Sequence, residues 1–136
     1  FRSLEPTVKR LQAAGIRVSL FVEPDPAQLD ASARLGAEVV ELHTGAFANA
    51  VGAARREELE RLIAGSVFAT EAGLRVNAGH GINYVNLPEI LLIPDLVELN
   101  IGHSIVSRAV ATGLEQAVRD MLALIAAGPA EEEEKG

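Results

Sequence analysis

Four short runs of strand-forming residues, "RVSLFV" (17–22), "EVVEL" (38–42), "LRVN" (74–77) and "LVELN" (96–100), are separated by segments with helical periodicity. No other feature constrains the fold as strongly. Strands that alternate with helices cannot pair as hairpins; they run parallel, joined by crossovers. Nearly continuous apolar strands of this kind are expected to be covered on both faces. The helical segments are read from spacing and punctuation. Residues 1–15 open on a helix that Ser3 can cap, with Leu4, Val8 and Leu11 on one face and Gly15 as its stop. A second helix covers 26–36, with Leu29, Ala33 and Ala37 near one face. A long third helix over 54–72 repeats Leu59, Leu62, Ile63 and Val67 and closes at Gly73. Pro88 and Pro94 keep a helix at 87–94 short. The last helix spans about 104–126, with Ile105, Ala109, Ala117, Met121 and Leu124 among its apolar positions.

The fold class is therefore α/β, either an open doubly wound sheet or four consecutive units of a (β/α)8 barrel, preceded by one helix. Both architectures put chemistry at the C-terminal ends of the strands. Here those ends carry Glu23 and Asp25; Glu41, His43 and Thr44; Asn77, Gly79, His80 and Gly81; and Asn100, Gly102 and His103. All three histidines of the chain sit at such ends. Chance would scatter them. A chain that opens on a helix with no strand before it also reads as part of something longer.

Composition narrows the function classes. The 136 residues suit one domain, and with no cysteine there is no disulfide framework and no thiolate metal site. Hydrophobic residues make up 49% with no Trp, so the core must be aliphatic. Of the net charge of −7, the four Glu and one Lys of 131–136 supply −3, leaving a mildly acidic body. That balance argues against a nucleic-acid partner held by phosphate neutralisation. No run approaches the about 18 apolar residues of a membrane span, and no signal-peptide pattern opens the chain, so a cytoplasmic protein is expected. Residues 129–136 read as an acidic, disordered tail behind a folded unit of 1–128.

Side chains alternate along a strand, so Glu41 and His43 face the same way and can look into one cavity. A carboxylate at a buried strand end is costly without a purpose. The pattern Asn-x-Gly-His occurs twice, in "VNAGHG" (76–81) and "ELNIGH" (98–103). Each copy offers backbone N–H groups with no Cβ to obstruct close approach. The second leads directly into the last helix, whose N-terminus favours an anion, and barrel phosphate sites often form after the last two strands. Gly81, Gly102 and the amide of His103 fit that role. His80, between two glycines, suits general acid/base work near neutral pH. Three His with Glu41 could ligate zinc by residue type, but no compact ligand spacing is present, and no metal site is expected.

The stretches "SLFVEPDPAQLDASARLGAEVVELHTGAFANA", "GLRVNAGHGINYVNLPEI" and "VELNIGHSIVSRAVATGLEQAVRDM" together resemble the C-terminal part of the pyridoxine 5′-phosphate synthase family, over residues 1–126. The resemblance implies a (β/α)8 barrel that condenses 1-deoxy-D-xylulose 5-phosphate with 3-amino-2-oxopropyl phosphate. The products are pyridoxine 5′-phosphate, phosphate and water, formed without a metal or organic cofactor. It implies His80 as proton donor, Glu41 as transition-state stabiliser, and Gly81, Gly102 and His103 as binders of the aminoketone phosphate. It also implies a homo-oligomer, an octamer in the family. The family's first half, with further catalytic residues and phosphate-clamping arginines, has no counterpart in these 136 residues. The chain alone is therefore expected to be inactive. A phosphate-ligand binding module without catalysis and a self-associating half-barrel are the alternatives.

Overall fold

The computed structural model describes residues 4–129. Ser3 as a helix cap and residues 130–136 of the expected tail lie outside that range. The first helix, α1 (Glu5–Ala13), begins after Leu4, whose side chain caps nothing. The β-branched runs then become β1 (Ser19–Val22), β2 (Val39–His43), β3 (Arg75–Gly79) and β4 (Leu96–Asn100). The helices between and after them are α2 (Pro26–Arg34), α3 (Gly45–Asn49), α4 (Gly52–Glu71), α5 (Leu87–Ile90), α6 (His103–Thr112) and α7 (Leu114–Ala127).

All strand pairs are parallel and the sheet order is β1-β2-β3-β4. A doubly wound sheet reverses its order at a switch point. This one does not, which leaves the barrel-type arrangement. Register explains the two faces. Val22, Leu42, Ala78 and Leu99 lie side by side, as do Phe21, Glu41, Asn77 and Glu98. The first row joins Val40 and Val76 under the helices, packed with Leu29 of α2, Leu62 and Ala69 of α4, Leu87 and Ile90 of α5, and Met121 of α7. Leu29, Val40, Leu42, Leu62, Leu87 and Ile90 are completely or almost completely buried. Each such side chain contributes about 1.5–3 kcal/mol by leaving water. The second row points to the opposite face, where Phe21 and Glu41 border the polar cleft described below.

Close approach ties the layers. A Cβ on Gly65 of α4 would sit 2.7 Å from the Cβ of Pro24, so glycine lets the helix rest on the β1–α2 turn. Ser66 of the same helix donates to the carbonyl of Pro94 (2.6 Å), and the Tyr84 hydroxyl donates to the carbonyl of Ala117 (2.8 Å). Between β3 and β4 the register shifts. Val76 faces Leu96, yet Asn77 faces Glu98, so Val97 is an extra residue in β4. Such a bulge re-aims the residues beyond it. Asn100 consequently stands beside Gly79 instead of one step beyond it.

Several expectations need correction. Residues 43–50, which lie between the second strand run and the long third helix and carry no helix of their own in the sequence pattern, form α3 in their middle, buried through Phe47. The last helix is two helices, because Gly113 adopts φ +80 and interrupts the hydrogen-bond ladder between α6 and α7. Val67 of α4 is 41% exposed; that helix buries Leu62, Gly65, Ser66 and Ala69 instead. Coverage on both faces holds for β3 beyond Arg75 but fails for the flanking strands. β1 alternates exposed and half-buried positions and β4 has no buried residue, since each has one unpaired edge among the described residues.

Candidate active site

Glu41, near the end of β2, turns its carboxylate across β3 toward β4. Its Oε2 accepts a hydrogen bond from Asn100 Nδ2 (2.8 Å). Gly79 of β3 makes that reach possible. A Cβ there would collide with Glu41 Oε1 and lie 3.2 Å from the Cβ of Asn100. The glycine of the first Asn-x-Gly-His copy thus serves its neighbours' side chains as a gap.

The next two residues leave the strand in the left-handed region, His80 at φ +74 and Gly81 at φ +78. A histidine tolerates that region better than most residues but still needs holding there. Thr44, fully buried at the end of β2, does so: its Oγ1 donates to the carbonyls of Gly79 (3.0 Å) and His80 (2.5 Å). Asn86 Nδ2 donates to the carbonyl of Gly81 (3.0 Å), and Ser104 Oγ to that of Ile82 (2.8 Å). Gly81 itself packs on α3, where a Cβ would come within 2.6 Å of the Cβ of Ala48.

The second turn is built differently. Gly102 has φ −117, a value open to any residue, and a Cβ there would meet nothing within 4 Å. His103 begins α6, and no described side chain caps that end. The first N–H groups of a helix have no partner inside it. Here they border open space beside the first turn.

A cleft of about 550 Å³ runs between the two turns, lined by Phe21, Glu41, His80, Gly81, Ile82, Asn83, Asn100, Ile101, Gly102, His103 and Ser104. All five residues singled out from sequence for catalysis or phosphate binding line it. Among the described residues no three His, Asp or Glu side chains converge as a metal site.

His43 stands behind the cleft. Its ring packs edge-on against His80 (centroids 4.9 Å apart, planes at 62°) and against Phe21 (5.1 Å). Its Nδ1 lies 2.5 Å from Glu23 Oε1, while Arg61 Nη2 approaches the other oxygen of Glu23 at 3.2 Å. The hydrogen bond from His43 is the main reason the Glu23 carboxyl lies below its ordinary range; burial opposes it next, and the charge of His43 and the hydrogen bond and charge of Arg61 add smaller downward effects. A carboxylate only accepts, so Nδ1 carries the shared proton. Asp25, the other carboxylate of that strand end, is structural: it caps α2 by accepting from the N–H groups of Ala27 (3.0 Å) and Gln28 (3.1 Å).

Sequence reasoning missed Asn100 as the partner of Glu41 and Glu23 as the partner of His43. These pairs are 59 and 20 residues apart. Only strand register brings them together.

The fold and cleft define a class: a parallel α/β chain of the (β/α)8-barrel type, with its polar cleft at the C-terminal ends of the strands. Within that class the chain belongs to the family of the pyridoxal phosphate biosynthesis protein PdxJ, whose model matches residues 1–127. It is 55% identical over 121 residues to the pyridoxine 5′-phosphate synthase of Akkermansia muciniphila, covering 88% of this chain and 49% of that protein. The synthase of Xanthobacter autotrophicus is 52% identical over 131 residues (93% and 51% covered). That of Geobacter metallireducens is 48% identical over 125 residues (91% and 52% covered). The chain spans about half the length of the curated relatives it matches.

Proposed function

We propose that this chain carries part of the active site of a pyridoxine 5′-phosphate synthase. The reaction condenses 1-deoxy-D-xylulose 5-phosphate with 3-amino-2-oxopropyl phosphate and closes the pyridine ring of vitamin B6, releasing phosphate and water. The observation that carries this reading is the shared cleft: Glu41, His80, Gly81, Gly102 and His103 surround one space. His80 donates a proton to a leaving oxygen, and Glu41 opposes the positive charge of an iminium-like intermediate. Gly81, Gly102 and the amide of His103 hold the phosphate of the aminoketone, anchoring it away from the reacting atoms. No cofactor takes part in this scheme. The protein works in the cytoplasm as a homo-oligomer; exposed Val110, Leu114 and Leu122 on α6 and α7 support such assembly. No described helix is long and apolar enough to cross a membrane.

The 136 residues alone are expected to bind phosphate esters without turnover, because β1 and β4 each have one edge without a partner strand among the described residues. The test supplies both substrates to the full native polypeptide and measures formation of pyridoxine 5′-phosphate and release of phosphate. Equal release of both products, abolished by Glu41→Gln, is the expected result. Tight phosphate-ester binding with no product would leave the non-catalytic binding module as the better reading.

A further inference from the structure

An acid/base at His80 needs more than a fixed backbone. Thr44 fixes the backbone of His80, but an exposed imidazole is free to turn about its last torsion, which has broad, roughly two-fold minima. Proton donation from a ring needs a defined orientation.

The neighbour that can supply it is His43, and His43 is itself held. Glu23 fixes its Nδ1–H, which leaves Nε2 on the opposite edge of the ring. That edge faces the space over Gly45, and so does the ring of His80. A Cβ built on Gly45 would collide with His43 Nε2 and lie 3.0 Å from His80 Cδ2. Glycine at this position lets the two imidazoles meet edge to face at 4.9 Å. Glu23 in turn is steadied by Arg61 of α4, which also holds Glu58 (2.9 Å). Adjacent residues at the end of β2 therefore divide the work: Thr44 holds the backbone of His80 and His43 its ring.

We propose that His43, oriented by the Glu23 carboxylate, is a positioning residue that sets the ring of His80 for proton transfer. The inference rests on His80 acting as the acid/base, and its two readouts separate the ring contact from the reaction. No covalent step passes through His43 and no proton is relayed by it.

The first readout is magnetic resonance on histidine-labelled chain, in which only three histidines need assignment. A nuclear Overhauser contact between the His43 and His80 rings is expected, with a protonated His43 Nδ1. Glu23→Gln should weaken the contact and Glu23→Asp should restore it. The second readout is turnover in the full native polypeptide. Glu23→Gln should lower kcat by about tenfold, less than loss of the acid itself would. KM for both substrates should stay within about twofold, as binding contacts are untouched. Glu23→Asp should recover most of kcat. A general packing role would not give that split with that rescue. The proposal is overturned if Glu23→Gln leaves the ring contact intact, if kcat is unchanged when the contact is lost, or if Glu23→Asp fails to rescue. Expected ring behaviour in a polypeptide that forms no product would support the holding of His80 and refute the reaction.

Discussion

The two Asn-x-Gly-His turns share a pattern and little else. In the first, Asn77 is buried, both glycines are sterically required, and hydrogen bonds from Thr44 and Asn86 hold the chain in a left-handed course. In the second, Asn100 is exposed and reaches Glu41, Gly102 has an ordinary φ with open space around it, and His103 simply starts a helix. The first turn uses glycine to make room for its own protein. The second shows no such internal need: a Cβ on Gly102 would meet nothing within 4 Å among the described residues. One four-residue pattern thus meets opposite physical demands.

The sharpest way to break this contrast is to remove the imidazole from the first turn without moving its backbone. His80→Asn keeps a residue that tolerates φ > 0. It should cut turnover of the full native polypeptide by about 10²–10⁴, or about 3–5 kcal/mol of barrier, with melting temperature nearly unchanged. Gly81→Ala probes the steric half of the contrast. Left-handed strain and the contact with Ala48 should together destabilise the fold by about 3 kcal/mol in denaturant titration.

The matching change in the second turn should behave in the opposite sense. Gly102→Ala should leave stability within about 0.5 kcal/mol. Calorimetry should instead show phosphate-ester affinity weakened by about tenfold, or 1.4 kcal/mol. Loss of stability without loss of affinity would erase the distinction between the turns. The smallest effect concerns the support behind the first turn. Glu23's folded-state carboxyl lies below its ordinary value of 4.5, so its pairing stabilises the fold above that pH and is lost as pH falls through the lowered value. Glu23→Gln should flatten that acid-side decline in a melting-temperature series, an effect kept small by the group's exposure.

How much of this is legible in the sequence depends on the range of the interactions. The strands are legible because β-branched runs and parallel crossovers are local patterns, and the cleft residues because strand ends are where such folds collect chemistry. The α3 helix is not: "GAFAN" is short, lacks a side-chain cap and is held by Phe47 in the core. The break at Gly113 escapes sequence reasoning because an isolated glycine in an apolar periodic stretch is often tolerated in a helix. Here it takes a positive φ. Alternation puts Glu41 and His43 on one face, and both turn to polar partners, but to different ones. Asn100 and Glu23 depend on register between strands, which no single strand encodes.

The extra residue at Val97 has a consequence for anyone rebuilding this fold. It changes the parity of β4 relative to β3, and parity decides which side of a sheet a functional group occupies. A designer who straightened β4 by keeping Val97 and pairing it with Asn77 would obtain a more regular sheet with Asn100 moved one step beyond Gly79 and away from Glu41. Transplanting this cleft to an idealised scaffold therefore means carrying over the irregularity as well as the residues around it.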